Sequence, residues 1–203
     1  PDCLSLKEAI AAHYEVKPSE VFIGVGSDDV LALAFLTFFA GQKPVLFPDV
    51  TYSFYDVWAK LYAIPYETVP LADDFTLRPE DYARTNGGII FANPNAPTGL
   101  ALSLTGIEEI LAKNPESVVI VDEAYVDFGA ETALPLLQDY ENLVVVRTQP
   151  GTAPGVAAAV DAASLSEVLG SVAGNDTVLV VCRDIDAAMV VVDLIDKLHA
   201  SRK

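Results

Sequence analysis

The chain has 203 residues, enough for one sizeable core and at most two small domains, and at 52% hydrophobic with 20% charged residues it reads as globular rather than disordered. Its formal charge of −17, from 12 basic and 29 acidic groups, repels phosphate backbones and argues against nucleic acid as a partner. No apolar run approaches the roughly 18 residues that span a bilayer, so no membrane partner is expected. PDCLSLKEAI shows no basic stretch followed by an apolar one, as a secretory leader would. Cys3 and Cys182 give neither a zinc spacing nor a disulfide framework, so the expectation is a metal-free chain in a reducing cytoplasm.

In chain order, residues 6–13 read as a short helix, with Leu6, Ala9 and Ile10 at helical spacing and Ser5 placed to cap it. Residues 21–24 read as a first strand. Ser27 then caps a helix running to about Phe39, with Asp28 and Asp29 in its first turn. Strands follow at 44–48, 66–70, 88–92, 118–122 and 143–147. Between them lie helices at 52–62 and 104–113 and helical turns at 78–82 and 134–138. The strands are continuous apolar runs rather than alternating ones, which indicates a mostly parallel sheet covered on both faces.

The last quarter differs. Residues 153–163 form an alanine-rich helix, and 168–172 and 177–182 are two strands joined only by AGND, hence an antiparallel hairpin. A closing helix at 184–199 puts Val191, Leu194, Ile195 and Leu198 on one face. The fold class is α/β: a three-layer α/β/α sandwich with a mostly parallel sheet, closed by an antiparallel hairpin at the C-terminal end.

Four loops at strand ends carry candidate chemistry. GVGSDD (24–29) follows a strand and opens a helix, so its N–H groups could cradle a phosphate. Asp49 even mimics the acid of a dinucleotide fingerprint, but the third glycine of that motif is Asp29, whose carboxylate would face a pyrophosphate. A single phosphate near Ser27 and an ordinary capped helix both fit. Tyr52, in PDVTYSFY, could stack on a planar ligand or simply pack. NPNAPTG (93–99) is a rigid loop presenting side-chain amides. In VDEAYVDFG (121–129), Asp122 ends a strand, where a carboxylate caps a helix or pairs with a cationic ligand atom. All four sit where ligands bind in open parallel sheets.

NPNAPTG and VDEAY make residues 1–148 resemble the large domain of fold-type I aminotransferases dependent on pyridoxal phosphate, and among these the histidinol-phosphate aminotransferases. The resemblance implies that Ser27 and Asp28 would hold the cofactor phosphate, Tyr52 would stack on its ring, and Asn95 and Tyr125 would bond the ring hydroxyl. Asp122 would pair with the ring nitrogen and keep it protonated. The departures are informative. Where the family has a Ser-Lys pair after the sixth strand, this chain has Thr148, Gln149, Pro150 and Gly151, and no lysine lies between Lys113 and Lys197. The family's lysine binds the cofactor covalently. The family's phosphate-gripping arginine and its small domain have no counterpart in the sequence, and Val25 stands where the family commonly has a polar residue.

NLVVVRTQPGTAPGVAAAVDAASLSEVLGSVAGNDTVLVVCRD instead resembles the C-terminal domain of the bacterial arginine repressor, over roughly 142–199. That family binds arginine between subunits of trimers and hexamers. Its ligand-site positions fall on Asp161, Asn175 and Asp176, and Asn175 replaces an acid that faces the guanidinium. NLVVVRT suits both families. The expectation is therefore one chimeric domain, 1–203, with its seam at 142–151: 1–148 aminotransferase-like and 142–203 repressor-like. Its strand 177–182 would run antiparallel to 143–147, in the place of a lost seventh strand. The chain is expected to be a recombinant scaffold without evolved activity, a monomer or small homo-oligomer, with no catalytic residue and no resident cofactor. A vestigial pyridoxal phosphate site and an arginine-linked oligomer are the alternatives, and a natural gene fusion is the alternative origin.

Overall fold

The computed structural model describes residues 3–24, 26–147, 165–173 and 178–200. They divide into two compact units, the boundary falling between Thr148 and Gln149.

The first unit is built on five parallel strands: β1 (Val45–Pro48), β2 (Tyr66–Val69), β3 (Gly88–Ala92), β4 (Val119–Asp122) and β5 (Leu143–Val146), in the order β2-β1-β3-β4-β5. Every residue of β1, β3 and β4 is buried, and successive residues serve opposite faces. Leu46, Ile89, Phe91, Val119 and Val121 pack on one side with Tyr82, Ile107, Ile110 and Leu111. Val45, Phe47, Ile90, Ile120 and Val146 pack on the other with Leu31, Phe35, Phe39, Tyr55 and Ala59. This is why the strands read as unbroken apolar runs: a strand covered on both faces has no polar side.

Helix α1 (Leu4–Tyr14) precedes the sheet, α2 (Gly26–Phe38) and α3 (Phe54–Leu61) cover the second face, and α4 (Leu104–Lys113) covers the first. Ser103 caps α4, its Oγ accepting the Gly106 N–H at 3.3 Å, and Ile107, Ile110 and Leu111 are the buried stripe that follows. The chain leaves β1 for α3 on one face and β3 for α4 on the other. Neighbouring strands whose connections diverge in this way leave a crevice at their carboxyl ends, here between residues 49–53 and 93–95.

The second unit contains β6 (Val168–Ala173) and β7 (Val178–Cys182), paired antiparallel, and helix α5 (Ile185–Ala200). The Asp184 side chain accepts the Ala187 N–H at 2.8 Å and so caps α5. The expected hairpin and its closing helix are thus present. The expected helix at 153–163 lies outside the described residues.

Three expectations are corrected. Residues 21–24 are not a strand. Their Val and Ile content suits a strand, but a strand exists only as a hydrogen-bonded pairing, and among the described residues no strand pairs with them. Residues 178–182 do not pair with β5; β7 pairs with β6, and among the described residues β5 is an edge strand. Pairing two strands so close in sequence avoids the entropy of a long-range loop closure. Lastly, Ser5 and Ser27 lie inside the first turns of α1 and α2 rather than at the caps, since those helices begin at Leu4 and Gly26.

Candidate functional site

Asp122 is the last residue of β4 and only 4% exposed. Its Oδ2 accepts the Tyr55 hydroxyl at 2.8 Å, and its Oδ1 accepts the Ala124 N–H at 3.1 Å. Burial pushes this carboxyl above the usual aspartate range, the two hydrogen bonds oppose that rise, and the nearby Asp28 adds to it. Tyr55 projects from α3 and is fully buried, its phenol pushed well up by burial and by Asp122.

Tyr52 lies in the loop after β1. Its hydroxyl donates to Asp28 Oδ1 at 2.8 Å. Its ring stacks on Phe54 with centroids 5.8 Å apart and meets the Tyr55 ring edge-on at 5.7 Å. Asp28 and Ser27 stand in the first turn of α2, where unpaired N–H groups favour anions. Asp28, Tyr52, Tyr55 and Asp122 are therefore one connected group drawn from α2, the β1 loop, α3 and β4. Tyr125, 38% exposed in the loop after β4, acts electrostatically on the Tyr52 hydroxyl, and its ring lies 6.1 Å from Phe128.

Asn95 spans the crevice between β1 and β3. Its Oδ1 accepts the Thr51 hydroxyl at 2.8 Å, while its Nδ2 donates to Val50 O at 2.9 Å and to Thr98 Oγ1 at 3.2 Å. Both amide protons are thus engaged. Asn93, fully buried, holds the same loop by bonding Leu102 with both ends of its amide. A cavity of about 280 Å³ lies under this loop, walled chiefly by Phe75, Leu77, Phe91 and Leu102, with Asn95 at its polar end.

The neighbouring Glu123 belongs to a different cluster, which the sequence did not reveal. It is fully buried and accepts Thr132 Oγ1 at 2.7 Å, the Ala133 N–H, and Arg147 Nη1 at 3.0 Å. Arg147 also reaches Asp127 at 3.3 Å and lies over the Tyr14 ring at 5.0 Å. Burial raises the Glu123 carboxyl, and its hydrogen bonds and the guanidinium counter that. The signal available in sequence was the Asp-Glu pair itself: consecutive residues at a strand end must serve opposite faces. Tyr55 was missed because its partner is 67 residues away.

A family model for class I and II aminotransferases matches residues 2–159. The chain belongs to that family. A second model, for the C-terminal domain of the arginine repressor, matches residues 136–197, so the two matches overlap across β5. Histidinol-phosphate aminotransferases of Lactococcus lactis subsp. cremoris and Pseudomonas syringae pv. syringae are each 56% identical, over 147 and 148 residues. Those stretches are 72% and 73% of this chain but 41% and 42% of the relatives, so the chain spans about two fifths of their length. Among solved structures, an aminotransferase from Mycobacterium tuberculosis superposes with a TM-score of 0.64 at 26% identity, covering 70% of this chain and 41% of that one. The histidinol-phosphate aminotransferase from Sinorhizobium meliloti, in complex with pyridoxal-5'-phosphate, gives 0.59 at 25%, covering 71% and 41%.

The donor set fits noncovalent holding of such a cofactor. It offers a buried carboxylate for a ring nitrogen, an aromatic ring beside it and a helix start for a phosphate. The lysine that the family resemblance places after the last parallel strand has no counterpart there, since the sequence has no lysine from 114 to 196. The arginine-site positions Asp161, Asn175 and Asp176 lie outside the described residues. Among the described residues no helix is long and apolar enough to cross a membrane, and no side-chain cluster could hold a metal.

Proposed function

We propose that this chain is a recombined α/β scaffold, an aminotransferase large-domain fragment spliced through β5 to a repressor-like fragment, that does not transaminate. What survives is noncovalent affinity for pyridoxal phosphate. The observation that carries this reading is Asp122: a carboxylate buried at a strand end with no cation, among the described residues, in the groups acting on it, beside the Tyr52 ring. Ser27 and Asp28 would hold the phosphate, and Asn95 and Tyr125 would face the ring hydroxyl. When bound, the cofactor supplies an electron sink; in this chain the stretch after β5 carries no lysine until Lys197, so the family's lysine has no counterpart there to link it or carry a proton. The bipartite sequence, with its seam inside one strand, supports laboratory assembly and a cytoplasmic parentage for both parts.

Titration with pyridoxal phosphate tests the reading. A change in ligand absorbance, saturating below millimolar concentration, is expected, and borohydride reduction should trap no adduct. A flat titration, or a lysine adduct that is stoichiometric and site-specific, would reject it.

A second reading concerns the C-terminal unit. Ile185, Met189 and Val192 lie one helical turn apart along α5 and are each more than half exposed. This stripe supports assembly into a small homo-oligomer, with arginine as the ligand that strengthens it. Sedimentation with and without arginine decides: a monomer unmoved by arginine ends that reading.

A further inference from the structure

Burial favours the neutral form of Asp122, and a neutral acid cannot pair with a cationic ring nitrogen. Within the described residues no lysine, arginine or histidine is among the groups that act on it. The groups facing it are the Tyr55 hydroxyl from α3, the Ala124 N–H from the following loop and the Asp28 carboxylate from α2, the last of these opposing its charge. Tyr52, also near, is occupied with Asp28.

Tyr55 is unusually well fixed for this task. It has no solvent exposure, and three rings hold it: Phe35 stacked at 6.3 Å, Phe47 at 6.0 Å and Tyr52 at 5.7 Å. A phenol held so rigidly loses little entropy in keeping its bond to Oδ2. We propose that Tyr55 is a positioning residue whose hydroxyl keeps Asp122 charged, so that the site selects a protonated nitrogen heteroaromatic over a neutral one. The inference rests on the reading of Asp122 as a ring-nitrogen partner, but its first test needs no ligand.

That test is a carbon-13 titration of the Asp122 carboxyl by NMR in the full chain, unmodified and with Tyr55→Phe, which keeps the ring and its packing. The Tyr55→Phe midpoint is expected to rise by about one pH unit, the size of one hydrogen bond to a charged group. Equal midpoints overturn the proposal. Should Tyr55→Phe fail to fold, the unmodified chain decides. Its Tyr55 hydroxyl proton should be a downfield, exchange-protected resonance that disappears as Asp122 protonates. A hydroxyl proton exchanging at the solvent rate overturns the proposal equally. With pyridoxal phosphate as probe, Tyr55→Phe should lose binding at a higher pH than the unmodified chain; coincident pH profiles count against it. A chain that binds no pyridoxal phosphate defeats the functional reading alone, and the carboxyl titration still judges Tyr55.

Discussion

Asp122 and Glu123 are consecutive carboxylates at the end of β4, both buried, and the two faces of the sheet treat them oppositely. Glu123 is spent: a guanidinium, a hydroxyl and a backbone N–H satisfy it. Asp122 is left with a phenol, one N–H and an acidic neighbour. The difference separates two uses of buried charge. A carboxylate already matched by a cation organises structure, whereas one held charged without a cation has attraction left for a ligand.

The comparison can be broken most forcefully on the Glu123 side. Arg147→Met strands a buried carboxylate and is expected to cost about 3 kcal/mol in urea unfolding, because removing one partner of a buried pair leaves the other uncompensated. Glu123→Met together with Arg147→Met should recover most of that loss, since no charge then stays unpaired. A double variant no more stable than the single one would mean that Thr132 and Ala133 depend on the glutamate itself.

On the Asp122 side the sign reverses. Its folded-state titration lies above that of an unfolded aspartate. The stability it contributes is therefore present below the unfolded value and lost as pH rises through the raised folded range. Asp122→Asn should accordingly be stabilising by about 1 kcal/mol at neutral pH, an amount that shrinks as pH falls through that range. Urea midpoints measured across the acid range check both the sign and the window. The same substitution should remove pyridoxal phosphate binding, which sets the two effects against each other in one variant. The smallest effect belongs to Tyr52→Phe. Its bond to Asp28 lies between solvent-accessible groups, so stability should change by less than about 0.5 kcal/mol, while the ring remains for stacking.

The parallel sheet was legible because burial on both faces writes itself into a strand as an unbroken apolar run. The bounds of β3 and α4 follow directly from 88–92 and 104–113 in the sequence. The order of the strands and the divergence at β1 and β3 put the loops of Tyr52, Asn95 and Asp122 at one end of the sheet, as the spacing suggested. Partners were not legible. Nothing in residues 21–24 reveals that no described strand lies alongside, and nothing in 177–182 says which strand it meets. Tyr55 reads as one more aromatic of an amphipathic helix until α3 brings it to Asp122. Arg147 reads as the polar end of a strand until the fold brings Glu123, 24 residues earlier, against it. Periodicity reports which face a residue occupies, but hydrogen-bond partners across a sheet are set by topology.

Asn95 has already committed both of its amide protons, one to each side of the crevice it spans. A ring hydroxyl arriving there can gain a proton from Asn95 only by taking it from Val50 or Thr98. Occupation of that corner is an exchange reaction with an unchanged number of hydrogen bonds, so it adds little to affinity. Its effect would fall on discrimination: a ligand that returns an acceptor or donor to the displaced group would be admitted, and one that leaves it bare would be refused.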